Sequence, residues 1–328
     1  MHRKEPRPGA FPACACAFAA SHGRGPFVDS GPRPHCPSRR SGVCLGTPPE
    51  KAEQITRQSM SFTPYPQEGT RRFGAVNWLG VWTLYVKEVR RFWKVMTQTV
   101  AAPVMTTLLY LAIFALAIGK FRPDVHGVPF IEFLAPGLVM MTMIQNSFAN
   151  TSSSILISKI QGNIVDVLMP PLSAGELNVG IAMAGVTRGI VCGCVTTLAM
   201  LPFVHMGTAH IWAIVFYAVG ASLMLSLLGM LGGIWSEKFD HLQAVTNFVI
   251  LPLTFLSGTF YSVTQLPDFA HNLTKWNPVF YLIDGFRYGI TGHADGSIAT
   301  GIAIVVGVNA LLWMVCHTLF RTGYRLKA

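Results

Sequence analysis

Glu132, Arg188, Asp284 and Arg287 are charges set in or beside strongly apolar runs. The mixed segment SKIQGNIVDVLMPPLSAGEL, residues 158–177, lies between two further apolar runs. A charge held in hydrocarbon costs several kcal/mol unless it pairs, snorkels or meets water. The chemistry open to these residues is therefore pairing, gating and contact with a partner. Asp284 and Arg287 are three residues apart and share a helix face, which allows either a local ion pair or a gate. Glu132 can pair with Lys120 or Arg122, or line a path. Arg188 falls about ten residues into an apolar helix, and pairing with Glu176 would have to span twelve residues, so another partner serves equally well. In 158–177, Pro170 and Pro171 cannot continue a helix freely, and they predict the end of a short helix over about 160–169. Ser173 followed by Glu176 predicts a capping box for the next helix. Asp166 and Glu176 can also meet basic residues of a partner, and a plain connecting loop is the alternative.

Catalysis has no comparable signature. A phosphate-binding loop needs glycines followed by Lys and Ser or Thr. The Gly-Lys pair in this chain, Gly119–Lys120, ends an apolar run and lacks that pattern. No HExxH and no GxSxG elbow occurs. Cys192 and Cys194 lack the second ligand pair of a structural zinc site. The seven cysteines outline no disulfide framework. No catalytic residue, metal ligand or cofactor is expected in the chain itself.

The elements that carry these residues follow from composition. The chain has 328 residues, 51% hydrophobic and 12% charged. Soluble domains hold roughly 25% charged residues, so the deficit points to membrane burial. The net charge of +10 forms no single basic face in the sequence, and a nucleic-acid partner is not expected. Six apolar stretches, at about 99–119, 131–150, 179–204, 211–235, 242–261 and 298–320, are read as transmembrane helices. The second is the weakest, because Pro136, Gln145 and Asn146 must face protein or water. NWLGVWTLYVKEVRRFWKV, residues 77–95, predicts an amphipathic helix along the bilayer surface. Its apolar stripe is Trp78, Trp82, Tyr85 and Val89, and Lys87, Arg90, Arg91 and Lys94 supply the basic side. Residues 273–290 read as one or two short helices broken near Pro278.

Orientation follows from Lys and Arg near the helix ends. One side receives Lys87, Arg90, Arg91, Lys94, Lys159, Lys238, Arg321, Arg325 and Lys327; the other receives Lys120, Arg122, Lys275 and Arg287. Nine against four predicts both termini, and segment 158–177, in the cytoplasm. Residues 1–59 are rich in Pro, Gly, Ser and Arg without a sustained period, and read as a disordered or misannotated extension, with translation from Met60 as one explanation. Residues 60–98 form a cytoplasmic segment carrying the interfacial helix, and 99–328 the transmembrane domain.

The order of these features resembles the permease subunits of ABC-2 type export systems over about residues 70–325. The motifs that carry it are LMPPLSAGEL at 168–177, GVTRG at 185–189 and NPVFYLIDGFR at 277–287. Among such permeases the chain is similar to the compact bacterial inner-membrane type represented by YadH. The resemblance implies an all-α polytopic fold, six transmembrane helices after an interfacial helix, in the arrangement of type V exporters. It implies two permease copies around a translocation path, in contact with membrane lipids. It implies a separate cytoplasmic ABC ATPase in two copies, which would bind ATP and Mg. Asp166, Pro170, Pro171, Ser173 and Glu176 would then belong to the region that contacts the ATPase. A membrane scaffold or assembly factor without transport is the alternative. A proton-coupled transporter is disfavoured, because most acids lie in loops and no inverted repeat is evident.

Overall fold

The computed structural model describes residues 76–117, 127–164, 166, 171–261, 274 and 276–325, all within one compact unit, Arg71–Ala328. The extension 1–59, Pro170, Lys120 and Arg122 lie outside the described residues, as do 165 and 167–169 of the short helix expected over 160–169, and its residues 161–163 form a turn that ends the preceding helix. The fold is all-α.

Helix α1, Trp78–Trp93, starts where the Asn77 side chain accepts the Gly80 N–H at 3.0 Å. Val81, Leu84, Glu88 and Phe92 recur every three to four residues and are buried against the rest of the chain. Trp78 and Trp82, at 74% and 62% exposure, lie on the outside. The predicted apolar stripe is thus divided. Its tryptophans face outward, whereas a different stripe, including an acid, faces protein.

Helix α2, Thr97–Ala117, opens with a wide π-turn at Thr97–Ala101. Pro103 has no N–H to offer the Thr99 carbonyl, and its ring crowds that carbonyl, so the turn widens. The Cys192 thiol donates to this carbonyl at 3.7 Å. Helix α6, Phe239–Leu256, repeats the device with a π-turn at Thr246–Ile250 ahead of Pro252.

Helix α3, Phe130–Ile160, extends ten residues beyond the predicted end at 150. At 1.5 Å per residue its 31 residues span about 46 Å. The polar run from Gln145 to Ser154 does not end it, because Thr142, Thr151 and Ser152 hydroxyls bond to carbonyls one turn back, within the helix. Helices α4, Ala174–Met200, α5, Ile211–Trp235, and α8, Ile298–Thr322, complete the long helices. Among the described residues, five helices are long and apolar enough to cross a membrane: α2, α4, α5, α6 and α8. The polar run keeps α3 out of that set although it is the longest. Between α6 and α8 lies α7, Pro278–Thr291, one unbroken helix. Pro278 occupies its first position, where no N–H is required, and the Asn277 side chain caps it.

Helix α3 is the centre of the bundle, packed chiefly against α5 and α4. Close approach depends on glycine. A Cβ on Gly229 of α5 would strike the Phe148 carbonyl of α3, and one on Gly189 of α4 would strike the Ser147 hydroxyl. The apolar core beside these contacts includes Leu134, Leu138, Ile144, Tyr217, Leu225 and Ile283. Helix α7 leans on α5 and α3, α1 on α4, and α8 on α5, α7 and α4.

Candidate functional site

The turn entering α4 is built as predicted and does more than end a helix. The Ser173 hydroxyl accepts the Glu176 N–H at 3.3 Å, and Glu176 Oε2 accepts the Ser173 N–H at 2.6 Å. The other carboxylate oxygen, Oε1, accepts the N–H of Asn77 at 2.6 Å. The Asn77 amide reaches the Pro171 carbonyl at 3.4 Å. One carboxylate therefore joins the start of α4 to the start of α1. Sequence spacing could locate the capping box but not Asn77, which is 99 residues away. Pro171 and Ser173 are exposed, as is Asp166, which is helical. Asp166, Pro171 and Ser173 can thus meet another chain, whereas Glu176 already holds two backbone amides.

A second polar layer lies deeper, where α1, α3 and α4 meet. Glu88 is 4% exposed and sits 3.2 Å from Arg91 Nε. Ser154 donates to the same Glu88 oxygen at 2.6 Å. Arg91 Nη2 donates to the Asn150 carbonyl at 2.8 Å and to Asn150 Oδ1 at 3.2 Å. One turn back along α3, Asn146 Oδ1 accepts from Arg188 Nη2 at 3.2 Å. Arg188 thus meets an amide of α3 rather than Glu176. On the rim, Tyr85 and Thr187 share a hydroxyl–hydroxyl bond of 2.9 Å. Of this layer, Arg188 and Asn146 were singled out from the sequence, Asn146 as a residue that must face protein or water. Glu88 and Arg91 at i and i+3 carried a signal, but both fell on a helix read as facing lipid and water.

The far side holds the other charges. Asp284 and Arg287 are each 3% exposed and do not form the local ion pair expected of i,i+3 neighbours. The Asp284 carboxylate accepts the N–H groups of Asp295 and Gly296 at 2.8 and 2.9 Å, fixing the turn that leads into α8. Arg287 Nη2 donates to the Gly258 carbonyl at 2.8 Å, and its guanidinium lies 3.8 Å from the centre of the Phe133 ring. Two better-placed partners on other elements draw the side chains apart. Glu132 is half-buried in the first turn of α3, a favourable place for a negative charge. At the opposite end of α3, Lys159 Nζ donates to the Ile234 and Ser236 carbonyls at 2.7 and 2.8 Å, closing the C-terminus of α5.

This arrangement has positioning chemistry throughout. Among the described residues, no group of three or more His, Cys, Asp or Glu side chains is placed to hold a metal ion. A buried polar spine, apolar helices around it and a rigid turn at one end define a multi-pass membrane protein. The profile of the ABC-2 type transporter family matches residues 80–291, and the chain belongs to that family. It is 36% identical over 252 residues to the inner membrane transport permease YadH of Escherichia coli K12, covering 76% of this chain and 98% of that protein. It is 24% identical over 262 residues to nodulation protein J of Rhizobium leguminosarum bv. viciae, covering 76% of this chain and 95% of the relative. The chain is accordingly an ABC-2 family transport permease.

Proposed function

We propose that this protein is the permease subunit of an ABC-type exporter of the bacterial inner membrane. Two copies form the translocation path, and a separate cytoplasmic ATPase, also in two copies, supplies ATP and Mg chemistry. Six helices span the bilayer: the five apolar ones and α3, whose polar run is shielded by protein. Helix α1 lies in the interface with Trp78 and Trp82 toward lipid. The excess of Lys and Arg supports a cytoplasmic location for both termini and segment 158–177.

The observation that carries this reading is the linkage of the 171–177 turn. Glu176 ties that turn to α1, and Glu88 and Arg91 tie α1 to the central helix α3. A push on the turn is thereby passed to three helices at once. In this reading Asp166, Pro170, Pro171 and Ser173 contact the ATPase, while Glu176 transmits its movement. Arg287 and Asp284 hold α7 on the opposite side, where an external gate would lie.

The test is a mild-detergent pull-down of the tagged chain with mass spectrometry and an ATPase assay. A stoichiometric ATP-binding subunit, lost on substituting 166–173, is expected. A chain recovered without any ATPase would favour a scaffold or assembly role instead.

A further inference from the structure

Helices α5 and α8 enclose a groove of about 760 Å³ on the outside of the bundle. Its floor is the contact between Gly220 of α5 and Val305 of α8, where an added Cβ on Gly220 would lie 2.8 Å from a Val305 methyl carbon. Its rims are the adjoining residues Val219 and Val306, both exposed. The lining runs from Ile211 to Leu223 of α5, about 18 Å at 1.5 Å per residue. One leaflet of a hydrocarbon core about 30 Å thick is about 15 Å deep, so the groove has the length of a single leaflet.

The two ends of the groove differ. At the end nearest the 201–210 connection, the Trp212 ring meets Tyr288 edge-on with 6.5 Å between centres, and Tyr288 stacks on His210 at 4.6 Å. Aromatic side chains with polar tips gather at the membrane interface, so this cluster sets the mouth of the groove at headgroup level. At the deep end, Asn309 turns its amide nitrogen to the Gly220 and Val305 carbonyls at 3.2 and 2.8 Å, and its Oδ1 is buried. The deep end therefore presents an apolar surface. Helices in a bilayer dock through small residues that let backbones close in. Trp212, Phe216, Val219 and Val306 are bulky and hold a neighbouring helix away. An unbranched acyl chain is narrow enough to lie between them.

We propose that the α5–α8 groove holds one acyl chain of a membrane phospholipid, with its headgroup beside Trp212. The site needs only that α5 and α8 cross the bilayer, so failure of the exporter reading would leave it standing.

The full chain, reconstituted with palmitoyl-oleoyl phosphatidylglycerol and extracted in mild detergent, is weighed by native mass spectrometry. Retained phospholipid is expected, and Val219→Trp, whose indole fills the groove, should lower the retained count by one per chain. Leu198→Trp is the control. Leu198 is exposed near the end of α4 that leads into α5, at similar depth but outside the groove, and its substitution should leave the count unchanged. If Val219→Trp does not fold, Val306→Trp fills the groove from the α8 side and should give the same loss. No retained phospholipid, or an unchanged count in the groove-filled variant, overturns the proposal. An equal loss in Leu198→Trp overturns it as well, because the retained lipid would then be the general lipid shell of the protein.

Discussion

Glu176 shows how one side chain can connect elements that are distant in sequence. Its two oxygens take N–H groups from Ser173 and from Asn77. Glu176→Ala should therefore accelerate amide hydrogen exchange at Ser173 and at Asn77 together, with Glu176→Gln intermediate; faster exchange at Ser173 alone would disprove the link to α1. Arg91 invites a different test. Removing one member of a buried ion pair leaves the other unmatched and costs about 3–5 kcal/mol when fully buried. Because Arg91 keeps 31% exposure, Arg91→Met should cost roughly 2 kcal/mol, after discounting for solvent screening. Glu88→Gln combined with Arg91→Met should recover more than half of that loss in denaturant unfolding. The Ser173–Glu176 spacing made the capping box legible, because capping is local chemistry. Glu88 was not legible as a buried acid, since burial depends on what packs over it.

Helix α3 is the element on which sequence and structure differ most. Its polar residues argued for an end near 150, yet the helix runs to Ile160. Arg188, Arg91 and glycine-lined neighbours receive those residues, so the polarity is internal rather than a boundary. Packing this tight should be intolerant of volume. Gly229→Leu would drive a side chain into the Phe148 carbonyl, and a loss of about 1–3 kcal/mol is expected by thermal unfolding in detergent. Gly307, with nothing near its Cβ direction, is the control, and Gly307→Ala should leave stability unchanged or slightly raised. The purely apolar helices behaved differently: Ile211–Trp235 has the bounds expected from its hydropathy alone. An apolar helix in lipid needs no neighbour to define it, whereas a polar one does.

For the whole molecule, the prediction concerns what can be altered without loss of assembly. Asp166 is exposed and helical. On the proposed contact with an ATPase, Asp166→Lys should lower recovery of that partner severalfold in a pull-down while membrane abundance stays constant; equal losses of both would indicate misfolding. Removal of residues 1–59, which carry no packing period in the sequence, should leave membrane insertion intact, as measured by membrane fractionation. The first experiment separates partner binding from folding, and the second tests whether residues 1–59 contribute to insertion.

The sequence by itself determined the all-α class, the apolar helices and the capped turn before α4. Each of these rests on neighbours within a few residues or on transfer of side chains from water to hydrocarbon. Tertiary structure alone decided which charges meet. Asp284 and Arg287 turn to Gly296 and Gly258 rather than to each other, and Arg188 finds Asn146 across a helix interface. A buried polar group takes the partner that packing brings within about 3 Å, and packing is a property of the whole chain.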